Sequence, residues 1–130
     1  MILDSNIIIY STQPEYVWLA RYLQRTQDSV SVSLISTLEV LGFHRITAKD
    51  KATYELYFGS VIVHPITSEI ITEAIRLRQQ RKRSLGDSII AATALCYKLP
   101  VLTNNTADFL DVVGIEVISL DSIPRTGLPR

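Results

Sequence analysis

The chain has 130 residues, 47% of them hydrophobic and 20% charged, a balance that suits one compact domain with its own core and excludes a disordered chain. Its 13 basic and 13 acidic residues cancel to a formal net charge of +0, which excludes the global basic field of many nucleic-acid binders, although Arg76, Arg78, Arg81, Lys82 and Arg83 crowd one stretch before Asp87. A single cysteine, Cys96, excludes an internal disulfide, and the chain shows neither a signal-peptide pattern nor an apolar run long enough to span a bilayer, so a cytoplasmic protein with no membrane partner is expected.

Taken in chain order, short β-rich segments alternate with longer helical patterns, which predicts an α/β domain with a largely parallel sheet. Residues 1–3 form the first strand candidate, and Asp4 ends it. Pro14 suits the first turn of a helix over 15–26, where its missing N–H costs nothing. A strand over 29–33 leads into helical patterns over 34–47 and 49–59, and a third strand covers 61–64. Thr67 or Ser68, with Glu69 behind it, reads as the N-cap of a helix over 68–82. Gly86 interrupts the pattern before a helix over 87–98, which Pro100 ends. Strands over 101–103 and 116–119 follow, with a short helical turn near 106–110 between them. No repeat or linker divides the chain, so residues 1–130 are expected to form one domain, with a tail from about residue 122 that is mobile or draped over the surface.

Four acidic or amide positions stand at the ends of apolar runs or inside them: Asp4, Glu39, Asp87 and Asn105. Carboxylates beside buried strands are costly unless something offsets their desolvation, and several at one point repel one another. In a parallel α/β sheet the ligand site lies outside the carboxyl ends of the strands, where the strand order reverses. Asp4 and Asn105 each follow a strand, while Asp87 and Glu39 lie on helices whose N-termini right-handed crossovers return to that same edge. The four segments are therefore expected to meet. Oxygen donors without His or Cys suit a hard cation, Mg²⁺ or Mn²⁺, rather than zinc. An ion of that kind activates water or stabilises charge on a phosphoryl oxygen, which points to phosphodiester hydrolysis.

Each residue also has a plainer reading. Asp4 and Asp87 are common residue types at helix starts, and Glu39 could turn to solvent from its helix. Arg81, Lys82 and Arg83 read as a solvated helix end or as contacts to RNA phosphates near Asp87. His44 and His64 stand without a second ligand at metal spacing, and Trp18 and Tyr22, four apart, read as packing or interface rather than base stacking. A strand-end Asp also serves as nucleophile in some phosphotransferases, but that chemistry needs a second Asp two positions on, where Asn6 stands.

Four segments in order resemble the successive signatures of PIN-domain ribonucleases, in particular the VapC toxins of bacterial toxin-antitoxin pairs. They are Met1-Ile2-Leu3-Asp4-Ser5-Asn6, Ile35-Ser36-Thr37-Leu38-Glu39-Val40-Leu41-Gly42, Leu85-Gly86-Asp87-Ser88-Ile89-Ile90-Ala91-Ala92-Thr93-Ala94 and Val101-Leu102-Thr103-Asn104-Asn105-Thr106-Ala107-Asp108-Phe109. The resemblance spans nearly the whole chain. It implies a three-layer α/β/α sandwich around a mostly parallel sheet of four to five strands. It also implies a Mg²⁺-dependent endoribonuclease that prefers single strands, with Mn²⁺ as substitute ion. The acidic pocket it implies is formed by Asp4, Glu39 and Asp87, with Asp4 and Asp87 holding the metal and Glu39 positioning or deprotonating the attacking water. Many members carry an acid where Asn105 stands; Asn105 is then a polar member of the site, and Asp108 the substitute source of a carboxylate. Asn6 and Thr103 are implied to orient carboxylates or metal waters. The implied partners are an RNA substrate, a small VapB-like antitoxin covering grooves near the early helices, and a second copy in a homodimer. A PIN scaffold that binds RNA or protein without cleaving, and a solitary RNA-processing nuclease, are the alternatives.

Overall fold

A strand period of two sends Ile2 to one side of the sheet and Leu3 to the other, both with no exposed surface. The structure, a computed structural model, describes residues 1–125 and makes this pair the centre of the fold. Strand β1 (Ile2–Leu3) lies between β2 (Ser31–Ser33) and β4 (Val101–Thr103), and β3 (Ile62–His64) and β5 (Val117–Ser119) close the edges. The order is β3-β2-β1-β4-β5, and every pairing is parallel. Strand order therefore reverses between β1 and β4, which opens a crevice at their carboxyl ends.

The helices are α1 (Ser5–Ser11), α2 (Val17–Arg25), α3 (Leu34–Leu41), α4 (Ala48–Ser60), α5 (Ser68–Gln80) and α6 (Leu85–Tyr97). One core packs Leu3, Val32 and Leu102 against Ile7 and Ile8 of α1, Trp18 and Leu19 of α2 and Tyr54 of α4. The other packs Ile2 and Val101 against Ile70 and Leu77 of α5, Ile89 and Ile90 of α6, and Phe109. Helix α3 touches α1, α4 and α6. The three-layer α/β/α sandwich is thus present, with five parallel strands, each overlapping its expected span. Trp18 packs in the first core, as its spacing with Tyr22 suggested. Among the described residues no helix is long and apolar enough to cross a membrane.

The helices depart from expectation where burial outweighs local preference. The β-branched run Ile7-Ile8-Ile9 is a poor helix former in isolation. It nevertheless lies within α1, because Ile7 and Ile8 are 0% and 1% exposed against the sheet. The pattern over 34–47 breaks after Leu41. Gly42 closes α3 by donating its N–H to the Leu38 carbonyl (2.8 Å), and an added Cβ there would lie 2.3 Å from that oxygen. Thr47 then caps α4 by accepting from the Asp50 N–H. Gly86 does not interrupt a helix: α6 begins at Leu85, capped by the Ser84 hydroxyl. Of the tail expected from about residue 122, Ile123 is buried and the Arg125 guanidinium lies 4.5 Å from the Trp18 ring centroid, while residues 126–130 lie outside the described residues.

Among the helices α6 is the most deeply set, with Gly86 and Ser88 through Ala94 all buried. Ile90 is 0% exposed within the second core. Ile90→Ala should therefore lower the unfolding free energy by about 2–5 kcal/mol in urea denaturation. A loss below about 1 kcal/mol would mean that this helix does not anchor the second core.

Candidate active site

Asp4 follows β1 directly and occupies the N-cap position of α1, yet its side chain makes no cap hydrogen bond. The plain helix-start reading does not account for it. The side chain is buried instead, and its Oδ2 accepts a hydrogen bond from the Thr103 hydroxyl at the end of β4 (2.8 Å). Thr103 Oγ1 in turn accepts from the Asn105 N–H (2.9 Å). Burial pushes the Asp4 carboxyl up, against the lowering effect of the Thr103 bond, and the charges of Glu39 and Asp108 push the same way as burial.

Glu39 projects from α3 and is exposed overall, but its carboxylate is held. Ser5 Oγ donates to Glu39 Oε1 (2.7 Å) and stands 2.9 Å from Ser36 Oγ. A hydroxyl has one proton to give. Ser5 gives its proton to Glu39, so Ser36, which is fully buried, must donate to Ser5. On the other side the Glu39 carboxylate lies against the bare Cα of Gly86, where a Cβ would stand 2.4 Å from Oε2.

Asp87 sits in the first turn of α6, its N–H donating to Ser84 Oγ (3.0 Å). A helix N-terminus ordinarily favours the charged form of an acid. Here the carboxyl is pushed up to about 6, by burial first and then by the charges of Asp4, Asp108 and Glu39. Four carboxylates from four segments therefore sense one another at the crevice between β1 and β4.

The fourth member is Asp108, whose charge acts on both Asp4 and Asp87. Asn105 is exposed and donates from Nδ2 to Asp108 Oδ2 (2.8 Å), so the two candidates for this position are joined. Asn6 is exposed in the first turn of α1 and, among the described residues, makes no side-chain hydrogen bond to the acids. His44 is exposed in the 42–47 connection, and His64 packs against Tyr97 in a tilted pair with ring centroids 4.3 Å apart.

Arg81, Lys82 and Arg83 line, with Ser84, Asp87 and Asp108, a cleft of about 360 Å³. Two of the three cations are spoken for. Arg83 is buried, and both its guanidinium and that of Arg81 engage the Asp111 carboxylate. Lys82 is exposed and, among the described residues, forms no ion pair.

The donor set is all oxygen and carries more negative charge than its neighbours offset, which suits a hard divalent cation. Among the described residues no three His, Cys, Asp or Glu side chains close into a ready-made metal cage. A hard cation that keeps several of its waters needs only one or two protein carboxylates and does not require such a cage.

Sequence reading missed Ser36, Ser84 and Asp111, and took Gly86 for a helix breaker. Ser84 alone carried a signal, the Ser-x-x-Asp spacing of a capped helix start. Gly86 has a testable role. Gly→Ala inside a helix ordinarily stabilises by about 0.5–1 kcal/mol. In the native background the new methyl must displace Glu39, so the gain should vanish, and it should return in a Glu39→Ala background. A double-mutant cycle on unfolding free energy should give a coupling of about 0.5 kcal/mol or more; additivity within about 0.3 kcal/mol would show that the two residues do not compete for space.

Comparison with known proteins now bears on this geometry. No curated protein sequence matches the chain. Among solved structures, it is similar to a chain of a toxin-antitoxin complex from Klebsiella pneumoniae, with 27% identity and a TM-score of 0.73 over 91% of this chain and 95% of that one. The DNA-bound VapBC complex from Salmonella typhimurium gives 20% identity and a TM-score of 0.79 over 91% and 96%. VapBC2 from Rickettsia felis, bound to a promoter fragment, gives 14% and 0.79 over the same shares. At the level of sequence, the model of the PIN domain matches residues 1–115, a span that takes in every acid of the site, and the chain belongs to the PIN domain family.

Proposed function

We propose that this chain is a Mg²⁺-dependent endoribonuclease, the toxin of a toxin-antitoxin pair, acting as a single domain in the cytoplasm. The observation that carries the reading is the meeting of Asp4, Glu39, Asp87 and Asp108 at the crevice of a PIN-domain sheet, with the Asp87 carboxyl pushed up to about 6 by burial and by the other acids. Asp4 and Asp87 would hold the ion, Mn²⁺ serving as substitute. A divalent cation there supplies charge for a phosphoryl oxygen and lowers the pKa of water.

The remaining work falls to side chains. Glu39, held by Ser5 on one side and given room by Gly86 on the other, takes the proton of the attacking water. The water oxygen adds to phosphorus as the opposite P–O bond breaks, and the departing ribose oxygen takes up a proton from solvent, which leaves a phosphomonoester on one RNA fragment and a hydroxyl on the other. Thr103 fixes the Asp4 carboxylate, and Asn105 fixes that of Asp108, which supplies the acid that position 105 lacks. This counts against a scaffold that binds without cleaving. Asn6 is exposed beside Asp4 and is read as orienting a metal water. Of the basic run, Lys82 is the residue read as meeting an RNA phosphate, since Arg81 and Arg83 are engaged by Asp111.

An antitoxin partner is supported by likeness to toxin-antitoxin complexes, VapBC among them, and by a groove of about 360 Å³ beside the early helices. Ile9, Pro14, Val40, Phe43, Ile46 and Tyr54 give the groove an apolar floor, and Phe43 is 54% exposed. Pairing of two copies is supported by Leu34 and Leu38, exposed four residues apart on α3.

Three measurements test the reading. Purified protein should cleave single-stranded RNA with Mg²⁺ or Mn²⁺ and lose activity in EDTA, and Asp87→Asn should lower kcat by roughly a thousandfold or more while remaining folded. An active Asp87→Asn protein would remove Asp87 from the mechanism.

The second is thermal. Because the folded pKa of Asp87 lies near 6, above its ordinary 3.8, the native state binds more protons between these values. Stability without metal should therefore fall as pH rises through that window, and the penalty should be absent below it. At pH 7, without metal, Asp87→Asn should raise Tm by roughly 3–5 °C, an estimate that discounts the shift for solvent screening. A lowered Tm would mean that the acids do not strain the fold.

The third concerns RNA. Lys82→Ala should weaken binding of uncleaved RNA about equally across sequences and reduce the salt slope by about 1. An unchanged slope would place Lys82 outside the RNA path.

A further inference from the structure

Two guanidiniums close on one carboxylate beside the acidic crevice. Arg81 reaches Asp111 through Nε to Oδ2 (2.6 Å) and NH2 to Oδ1 (3.1 Å). Arg83 reaches it through NH2 to Oδ2 (2.7 Å) and NH1 to Oδ1 (3.2 Å). Both forks are bidentate, the stronger and more directional form of the pair. The same guanidiniums grip backbone as well. Arg81 and Arg83 both donate to the Asp108 carbonyl (3.3 and 3.4 Å), and Arg83 donates to the Leu77 carbonyl in the last turn of α5 (3.0 Å).

The clamp joins the two segments that carry the outer acids. Arg83 immediately precedes Ser84, which caps α6 and holds the Asp87 N–H; the other jaw is the turn from Thr106 through Asp111, which carries Asp108. Phe109, with no exposed surface, pins that turn to the core from below. Asp87 and Asp108 carry like charges and line the same cleft, so without a restraint the two segments would relax apart. An exposed ion pair adds little stability of its own, and the Arg81 and Asp111 side chains are each 42% exposed. What the arrangement supplies is a fixed distance.

We infer that Asp111 is a positioning residue which, by drawing Arg81 and Arg83 together, holds Asp87 and Asp108 at the separation a divalent cation needs. The inference rests on the metal-site reading above, and the two can fail separately. Asp111 touches neither substrate nor cation in this scheme. Its effect runs through the turn and the loop that it ties.

The test is direct binding of Mn²⁺, followed by calorimetry on the full chain without RNA. The wild type should bind Mn²⁺, and Asp111→Asn should bind it about tenfold or more weakly, the range seen when a group outside the ligand sphere is removed. Asp111→Glu, which keeps the charge at the end of a longer arm, should recover most of that loss. Ile70→Val, a modest core change in α5, should lower Tm without altering Mn²⁺ affinity, which separates positioning from general destabilisation. If Asp111→Asn loses Tm but binds Mn²⁺ as the wild type does, Asp111 is a staple and the inference is overturned. It is equally overturned if the variant keeps its Mn²⁺ affinity and binds uncleaved RNA more tightly, because the freed guanidiniums would then be a phosphate site. A wild type that binds no Mn²⁺ would overturn the metal reading itself, and the role of Asp111 with it.

Discussion

Repulsion among like charges is the constraint around which this molecule is arranged. Burial and mutual proximity push Asp4 and Asp87 toward their neutral forms, so each carboxylate at the crevice is held there by something stronger than its tendency to leave. The parallel sheet supplies the first restraint, since β1 and β4 deliver Asp4 and Thr103 to adjacent places by backbone pairing alone. Helix caps supply the second, through Ser84 at α6 and Ser33 at α3. Side-chain hydrogen bonds supply the third. None of these restraints neutralises the charge, and that unbalanced charge is what the proposed cation would meet.

The hydrogen bonds around the acids have a definite direction. From Asn105 N–H to the Thr103 hydroxyl to Asp4, and from the Ser36 hydroxyl to Ser5 to Glu39, each donor passes its proton toward a carboxylate. The first of these runs starts at a backbone amide and the second at a fully buried hydroxyl. Such chains orient the lone pairs of the acids without adding charge. That is a cheaper way to fix a carboxylate than an ion pair, which would compete with the proposed cation.

Much of this was legible in the sequence because the residue types themselves are costly. An acid directly after a buried strand, as at Asp4, or in the first turn of an apolar helix, as at Asp87, demands a reason, and parallel topology says where such residues gather. The strands were found for the same reason, as short apolar runs between turn signals. What escaped was information carried by partners far along the chain. Ser36 lies 31 residues from Ser5 and Asp111 lies 28 from Arg83, and no local pattern links them. Helix α1 escaped because three successive isoleucines speak for a strand, and only burial of Ile7 and Ile8 overrules them. Gly86 was read as a helix breaker when it is a clearance, a distinction visible only once Glu39 is seen against it.

Helix α6 carries Asp87 on a rod with almost no free face, its residues from Ser88 to Ala94 being buried in unbroken succession. A rod packed on all sides cannot rotate or slide by one residue without emptying and refilling the core around it. The position of this acid is consequently inherited from packing, and selection acting on the reaction has little freedom to adjust it. Novelty must enter elsewhere, as through the exposed connection from Phe43 to Arg45, which lines the groove beside the early helices, where a change alters what that groove accepts and leaves the crevice itself as it was. Diversification of such a protein is thus channelled toward what it recognises and away from what it does.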